Sequence, residues 1–482
     1  MVAAGPACAF DRSGFPGEPD GAVYDADPSK PDAAVFDARP PPPALQAGDL
    51  RLIYGPAGKT SLDNPRRASN GDWTTEPETD PLGGRAPWMI HRITPTTDID
   101  ELLMTAFGSG AGPVIRMQRL VQGAWVIDWS ATPGPGVSTQ LRGFDVEFED
   151  SGEAIAVYGD GTNTPAYRIF ASGSWSVERK LPLNDGGGGG GPNPDPNNGI
   201  VTWVELERRP GTDEIALAYA DDMDNLVVLV WDGNLWDTAT AARLEDKLKL
   251  NPVSRIVHNR AFDIAWETNS GDLVAAWGRD GAAGFLTATH TAGGAWSGVT
   301  TIVALSGTPH FVDLATDPET DQVAGGFYDM GDGTERLAVG IWNGFSWIDS
   351  FEIDMQISDV NDEALGHSPG AVGWFGETDS AVVVYADDAT GVFGYATWDP
   401  VFGWLLRPPA TVAGLEQPQS FDMVAGPDGA ALHAAVSDGA GQLFAVMFDG
   451  ADWAVEATLA MDLAGSESTP FSMDVRRSPI GP

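Results

Sequence analysis

The chain has 482 residues, 42% of them hydrophobic, with a single cysteine. That is ample material for a large core, and it excludes an intrachain disulfide and a cysteine-based zinc site. Its 27 basic residues, five of them lysine, face 69 acidic ones for a formal net charge of −42; such a surface repels nucleic acid and anionic lipid headgroups, which need Lys and Arg to neutralise them.

The chain opens "MVAAGPACAF", small and apolar like the tail of a secretory signal. Cys8 follows small residues and precedes an acidic tether, as the acylated cysteine of a lipoprotein would. "AGPAC" fits a lipobox in Ala7 but not in Gly5 or Pro6. Residues 9–47 are dominated by Pro, Asp, Ala and Gly without any period, which predicts a disordered tether. Residues 1–47 are therefore read as a signal-like remnant and tether, and 48–482 as one domain. No apolar run approaches the ~18 residues of a membrane span, and the six histidines show no HExxH or His-x-His spacing.

From residue 49 onward short apolar segments alternate with Gly, Asp and Asn turns. "DLRLIYG" (49–55), "TSLDNPRRAS" (60–69) and "DWTTEPE" (72–78) open the series. A Gly-Trp word then recurs, ending at Trp73, Trp125, Trp175, Trp236, Trp296, Trp347, Trp404 and Trp453, with spacings of 52, 50, 61, 60, 51, 57 and 49 residues. Periods near 50 suit the blades of a propeller. Residues 261–303 show the unit: "AFDIAWE", "DLVAAWG", "GFLTATHT" and "AWSGVTTIV" read as four strands. The glycine supplies the positive φ of a hairpin between third and fourth strands. The tryptophan then covers the gap between twisted neighbouring blades, a packing role.

The first unit lacks a first strand, and the tail "PFSMDVRRSPIGP" resembles one, like "GFDVEFEDSG" and "SFDMVAGPDG". The fold predicted is an all-β, eight-bladed propeller of four-stranded antiparallel blades, closed by the C-terminal strand, which removes open edges. Seven blades plus an extra sheet is the competing architecture.

First strands line the channel of such a ring, and five share an aspartate: Asp145, Asp263, Asp313, Asp422 and Asp474. Each would bond the backbone of an adjacent blade or, together, hold a cation. The hairpins between second and third strands are rich in Asp and Gly, which turn chemistry largely explains. Asp221, Asp222 and Asp224 exceed what one turn needs, and hard oxygen donors so spaced make them candidate Ca²⁺ ligands. Long irregular segments at 131–142, 184–199, 238–260 and 355–370 all join blades and share a face with these hairpins. That acidic, elaborated face is the expected binding face.

The words "WDGNLW" and "GGAWSG" resemble the blades of propeller lectins, and the repeat is similar to those of secreted bacterial β-propeller proteins. The resemblance covers residues 48–477 as architecture. It implies an extracellular or cell-surface, non-catalytic recognition or adhesion module, a monomer that binds a glycan or protein at the acidic loop face. A polysaccharide-active enzyme on the same fold is the alternative. "SDGAGQLF" (437–444) lacks the tryptophan of a sialidase Asp box, and no nucleophile elbow or P-loop is present.

Overall fold

The computed structural model describes residues 46–476 apart from short stretches, the longest being 134–140, 184–198, 250–259, 358–367 and 464–469. Cys8, nearly all of the tether, the six-glycine segment and most of the other long connections lie outside the described residues. No helix among the described residues is long and apolar enough to cross a membrane.

Strands form eight separate antiparallel sheets. Blade 1 joins Leu50–Tyr54, Arg66–Arg67 and Trp73–Thr74 to Phe471–Val475 from the far end of the chain. Blades 2 to 8 follow in order within residues 88–131, 144–180, 201–245, 262–302, 311–354, 370–411 and 418–460. The closing strand runs antiparallel to the N-terminal one over five residue pairs, from Leu50 opposite Val475 to Tyr54 opposite Phe471. It occupies the innermost position of its blade. Eight blades and C-terminal closure are thus as predicted, and the seven-blade alternative is excluded.

Inner strands pack blade against blade and are buried on both faces, so they read as continuous apolar runs rather than alternating ones. Ile215–Asp221 and Leu226–Trp231 are buried at every position. Outermost strands meet solvent, and Trp453–Ala460 is fully buried only at Ala460.

The repeated tryptophans pack as expected. Each Gly-Trp hairpin turns on a glycine with positive φ, such as Gly233 (90°) or Gly450 (92°). In blades 2 and 3 the pairs Gln122–Gly123 and Ser172–Gly173 both have positive φ, the twist-matched geometry of a two-residue hairpin. The indole then meets the preceding blade. Trp175 bonds Asp128 and lies edge-on to Trp129; Trp236 meets Tyr167; Trp347 meets Phe285 and bonds Thr287; Trp453 meets Phe393 and Tyr395.

Outer strands depart from the sequence reading in four places. The fourth strand of blade 5 starts at Thr300, not at Ala295; Trp296 makes only an isolated bridge to His290, while the Ser297 hydroxyl accepts the Thr289 N–H. In blade 3 the strand is split into Ser174–Trp175 and Arg179–Lys180, with the Ser176 hydroxyl accepting the Ile169 N–H. In blade 7 it is split at Pro408 and Pro409, which have no N–H to give a ladder. Conversely, Trp236–Glu245 is one long strand, so the irregular connection predicted over 238–260 begins only after Glu245.

Candidate site at the mouth of the central channel

Each of the five channel aspartates reaches the next blade. Asp145 accepts the Leu206 N–H (3.0 Å), Asp263 that of Leu314 (2.8 Å) and Asp313 that of Val372 (2.7 Å). Asp422 accepts the Met473 N–H (2.8 Å) and Asp474 that of Ile93 (2.7 Å). This is the interblade role read from their repetition. Extended strands leave these N–H groups facing a neighbouring blade rather than a ladder partner, and a carboxylate satisfies them.

Three arginines complete the layer. Arg92 is on the innermost strand of blade 2; Arg142 and Arg260 are on the connections entering blades 3 and 5. Arg92 binds Glu147 (2.7 Å) and lies 3.8 Å from Asp145. Arg142 pairs with Glu205, and Arg260 bridges Glu205 (3.2 Å), Asp263 (3.5 Å) and Asp313. The guanidinium of Arg142 also lies over Trp203, and that of Arg260 over Phe311. Sequence reasoning missed these arginines although a signal existed: "RGFD" (142–145) and "RAFD" (260–263) repeat an arginine three residues before the aspartate.

Above this layer is a cavity of about 170 Å³. Its walls are Trp88, Trp203, Phe311, Phe421 and Phe471, its charged groups Arg92, Arg142, Arg260, Glu205, Asp313 and Asp422, with Ser368 and Met423 at the edge. Most of these residues sit in the first half of an innermost strand or just before it. In an antiparallel blade that end shares a face with the hairpins between second and third strands. The cavity thus lies toward the face that carries the Asp-rich turns.

Burial dominates the titration of this layer. It pushes Asp145 up to about 7 against the pull of Arg92 and Arg142. Burial likewise raises Asp263 well above the usual carboxylate range, raises Asp313, and lifts Asp422 to about 6. Glu205 goes the other way: burial opposes its charge, but Arg142 and Arg260 outweigh it and hold the group at about 2.

The turn of Asp221, Asp222 and Asp224 lies away from the channel. Asp221 is buried, and its two oxygens accept N–H groups of Met223, Asn225, the Asn225 amide and Gly199. Asp222 accepts the Ile200 N–H. Asp224 has φ of 67° and is lifted to about 6 by burial and by Asp221, Asp280 and Asp222. Among the described residues no three His, Cys, Asp or Glu side chains are grouped to hold a metal ion.

No family model matches the chain, and no curated protein matches it. Solved structures do. The periplasmic gluconolactonase of Pseudomonas aeruginosa is 12% identical, with 89% of this chain and 99% of that one covered and a TM-score of 0.45. The Aleuria aurantia lectin in complex with Fucα1-6GlcNAc is 10% identical over 68% and 98%, with a TM-score of 0.35. An α-L-arabinofuranosidase of Fusarium graminearum in complex with an iminosugar inhibitor is 11% identical over 64% and 91%, also at 0.35. These are loose likenesses of architecture.

Proposed function

We propose that the chain is an extracellular or cell-surface recognition module, non-catalytic, that seats part of a glycan in the mouth of its channel. The observation that carries this reading is the cavity itself. Aromatic walls and planar charged side chains converge there, and aromatic faces stack on sugar rings while carboxylates and guanidinia bond their hydroxyls. The cavity of about 170 Å³ is below the roughly 300–1,000 Å³ of a drug-sized site, which suits one terminal sugar. Anchoring through an acylated Cys8 belongs to the same proposal. Calcium at the 220–225 turn does so only through Asp222 and Asp224, because the oxygens of Asp221 are engaged.

The test is a glycan array probed with purified full-length chain, alongside Ser368→Trp, which fills the cavity edge. Glycan binding lost in the variant at unchanged Tm is the expected result; no glycan bound, or binding indifferent to Ser368→Trp, overturns it. The second reading, a polysaccharide-active enzyme, draws on Asp422 near 6 and Glu205 near 2 in one cavity, a separation of the kind that assigns an acid and a base. New reducing ends or unsaturated products from a polysaccharide panel would establish it.

A further inference from the structure

The channel aspartates are not equivalent. Asp145 and Asp263 each use one oxygen on the next blade and the other on the following N–H of their own strand. Asp313 divides its oxygens between Val372 and Arg260, and Asp474 between Ile93 and Val475. Asp422 differs: its Oδ2 takes the Met473 N–H, and its Oδ1 has no partner among the described residues. No cationic side chain forms a salt bridge with it among the described residues, and Arg92 acts on it only at longer range. Like Asp313 it is a half-buried aspartate of the cavity wall, but it stands between Phe421 and Met423, with Phe471 in the same lining.

The cavity's cations are all engaged by carboxylates, as described above. An entering anion would compete with those carboxylates and meet Asp422 as well. An entering cation meets an unpaired carboxylate beside aromatic surface, where a ring face adds attraction, on a molecule whose formal charge of −42 draws cations from a distance. The rest of the lining is largely aromatic. Trp88, Trp203, Phe311, Phe421 and Phe471 line the cavity, and aromatic faces stack on a sugar ring, which an alkylamine lacks.

We propose that the ligand is an amino-sugar glycan with a free ammonium group, which pairs with Asp422 while its ring packs on the aromatic lining of the cavity. This inference rests on the channel-mouth reading above and adds the ligand's chemistry to it. The unpaired carboxylate is what the ammonium completes, and the aromatic lining is what distinguishes a sugar from an alkylamine.

The probe is a fully deacetylated glucosamine oligomer, titrated calorimetrically into the full chain beside its N-acetylated counterpart of equal length and a lysine-rich peptide. The titrations are run at about 0.3 M salt, where the Debye length is well below 10 Å, so that diffuse attraction to the acidic surface is screened. A hydrogen bond to a charged group predicts that N-acetylation and Asp422→Asn each weaken binding roughly 10- to 100-fold. Asp422→Asn keeps an oxygen for the Met473 N–H and removes a buried charge, so its Tm should not fall below wild type. Equal binding of acetylated and deacetylated oligomers, abolished by Ser368→Trp, would overturn the ammonium assignment and leave the channel-mouth reading standing. Peptide binding as tight as amino-sugar binding would overturn the glycan assignment. Amino-sugar binding indifferent to Asp422→Asn would overturn the role of Asp422. Absence of any glycan binding overturns both readings.

Discussion

Asp221 and Asp422 look alike in the sequence, each an aspartate in a strand-and-turn repeat, but their surroundings give them opposite uses. Asp221 has both oxygens filled by the N–H groups of its own turn and of Gly199. Asn at this position keeps one acceptor and turns an NH₂ toward donors. Asp221→Asn should therefore destabilise the fold by about 1–3 kcal/mol, the cost of leaving buried donors unsatisfied. Asp222→Asn, at an exposed side chain with one backbone partner, should cost less. Thermal melts with calcium and with chelator check this, and the loss for Asp221→Asn should be equal in both. A loss confined to the calcium sample would instead make Asp221 a metal ligand. The clustering of three carboxylates was legible in the sequence, but which oxygens remained free was not. That depends on Gly199, which follows a long insertion and reaches the turn only in three dimensions.

At the scale of the element, the Gly-Trp hairpin was the most legible feature, because turn stereochemistry and blade packing select the same word eight times. The tryptophans are not equally placed, however. Trp347 is buried between Phe285 at 5.1 Å and Phe327 at 5.5 Å, and its indole N–H is bonded to Thr287. Trp296 is only half-buried, follows an irregular turn and bonds a backbone carbonyl of Thr240. Trp347→Ala should cost about 3–5 kcal/mol, the range for a buried aromatic, and Trp296→Ala less than half of that. Differential scanning calorimetry of the two variants decides it; equal losses would mean that burial does not set the tryptophans' contributions. Strand ends in the outer layer were poorly legible for a physical reason. An outermost strand is paired on one side only, so serine hydroxyls such as those of Ser176 and Ser297, or the prolines at 408 and 409, can interrupt it at little cost. Inner strands have no such freedom, and their positions followed from hydrophobic pattern alone.

For the whole molecule, closure and charge meet in the same ring. The C-terminal strand supplies Asp474 to the channel layer and Phe471 to the cavity wall, so the site is complete only when the chain's two ends are joined. The five aspartates were legible from their recurrence, whereas their joint electrostatics required the ring to be closed. Burial lifts Asp145 to about 7 and Asp422 to about 6, raises Asp263 and Asp313, and lifts Glu149, between blades 3 and 4, to about 7. A carboxyl whose folded-state pKa exceeds its unfolded value near 4 binds its proton more tightly when folded. Its contribution is fully present below the unfolded value and is lost as pH rises through the folded one. Stability should therefore increase as pH falls from about 8 to about 5. Glu101, Glu205 and Glu456 work in the opposite sense, each held below the usual range although burial opposes its charge: Arg51 and His91 outweigh burial at Glu101, Arg142 and Arg260 at Glu205, and His433 and Arg67 at Glu456. Their stabilisation is present above the unfolded value and is lost as pH falls below about 4. The melting temperature should thus peak on the acid side of neutrality, several degrees above its value at pH 8. Relief of surface repulsion in a chain of formal charge −42 would tilt the profile the same way, but high salt screens surface charges far more than buried ones. The profile is accordingly measured at low salt and again at about 1 M salt, where the Debye length is about 3 Å. An acid-side maximum that persists at high salt and flattens in Asp145→Asn places the effect in the channel; one that disappears with salt assigns it to the surface instead.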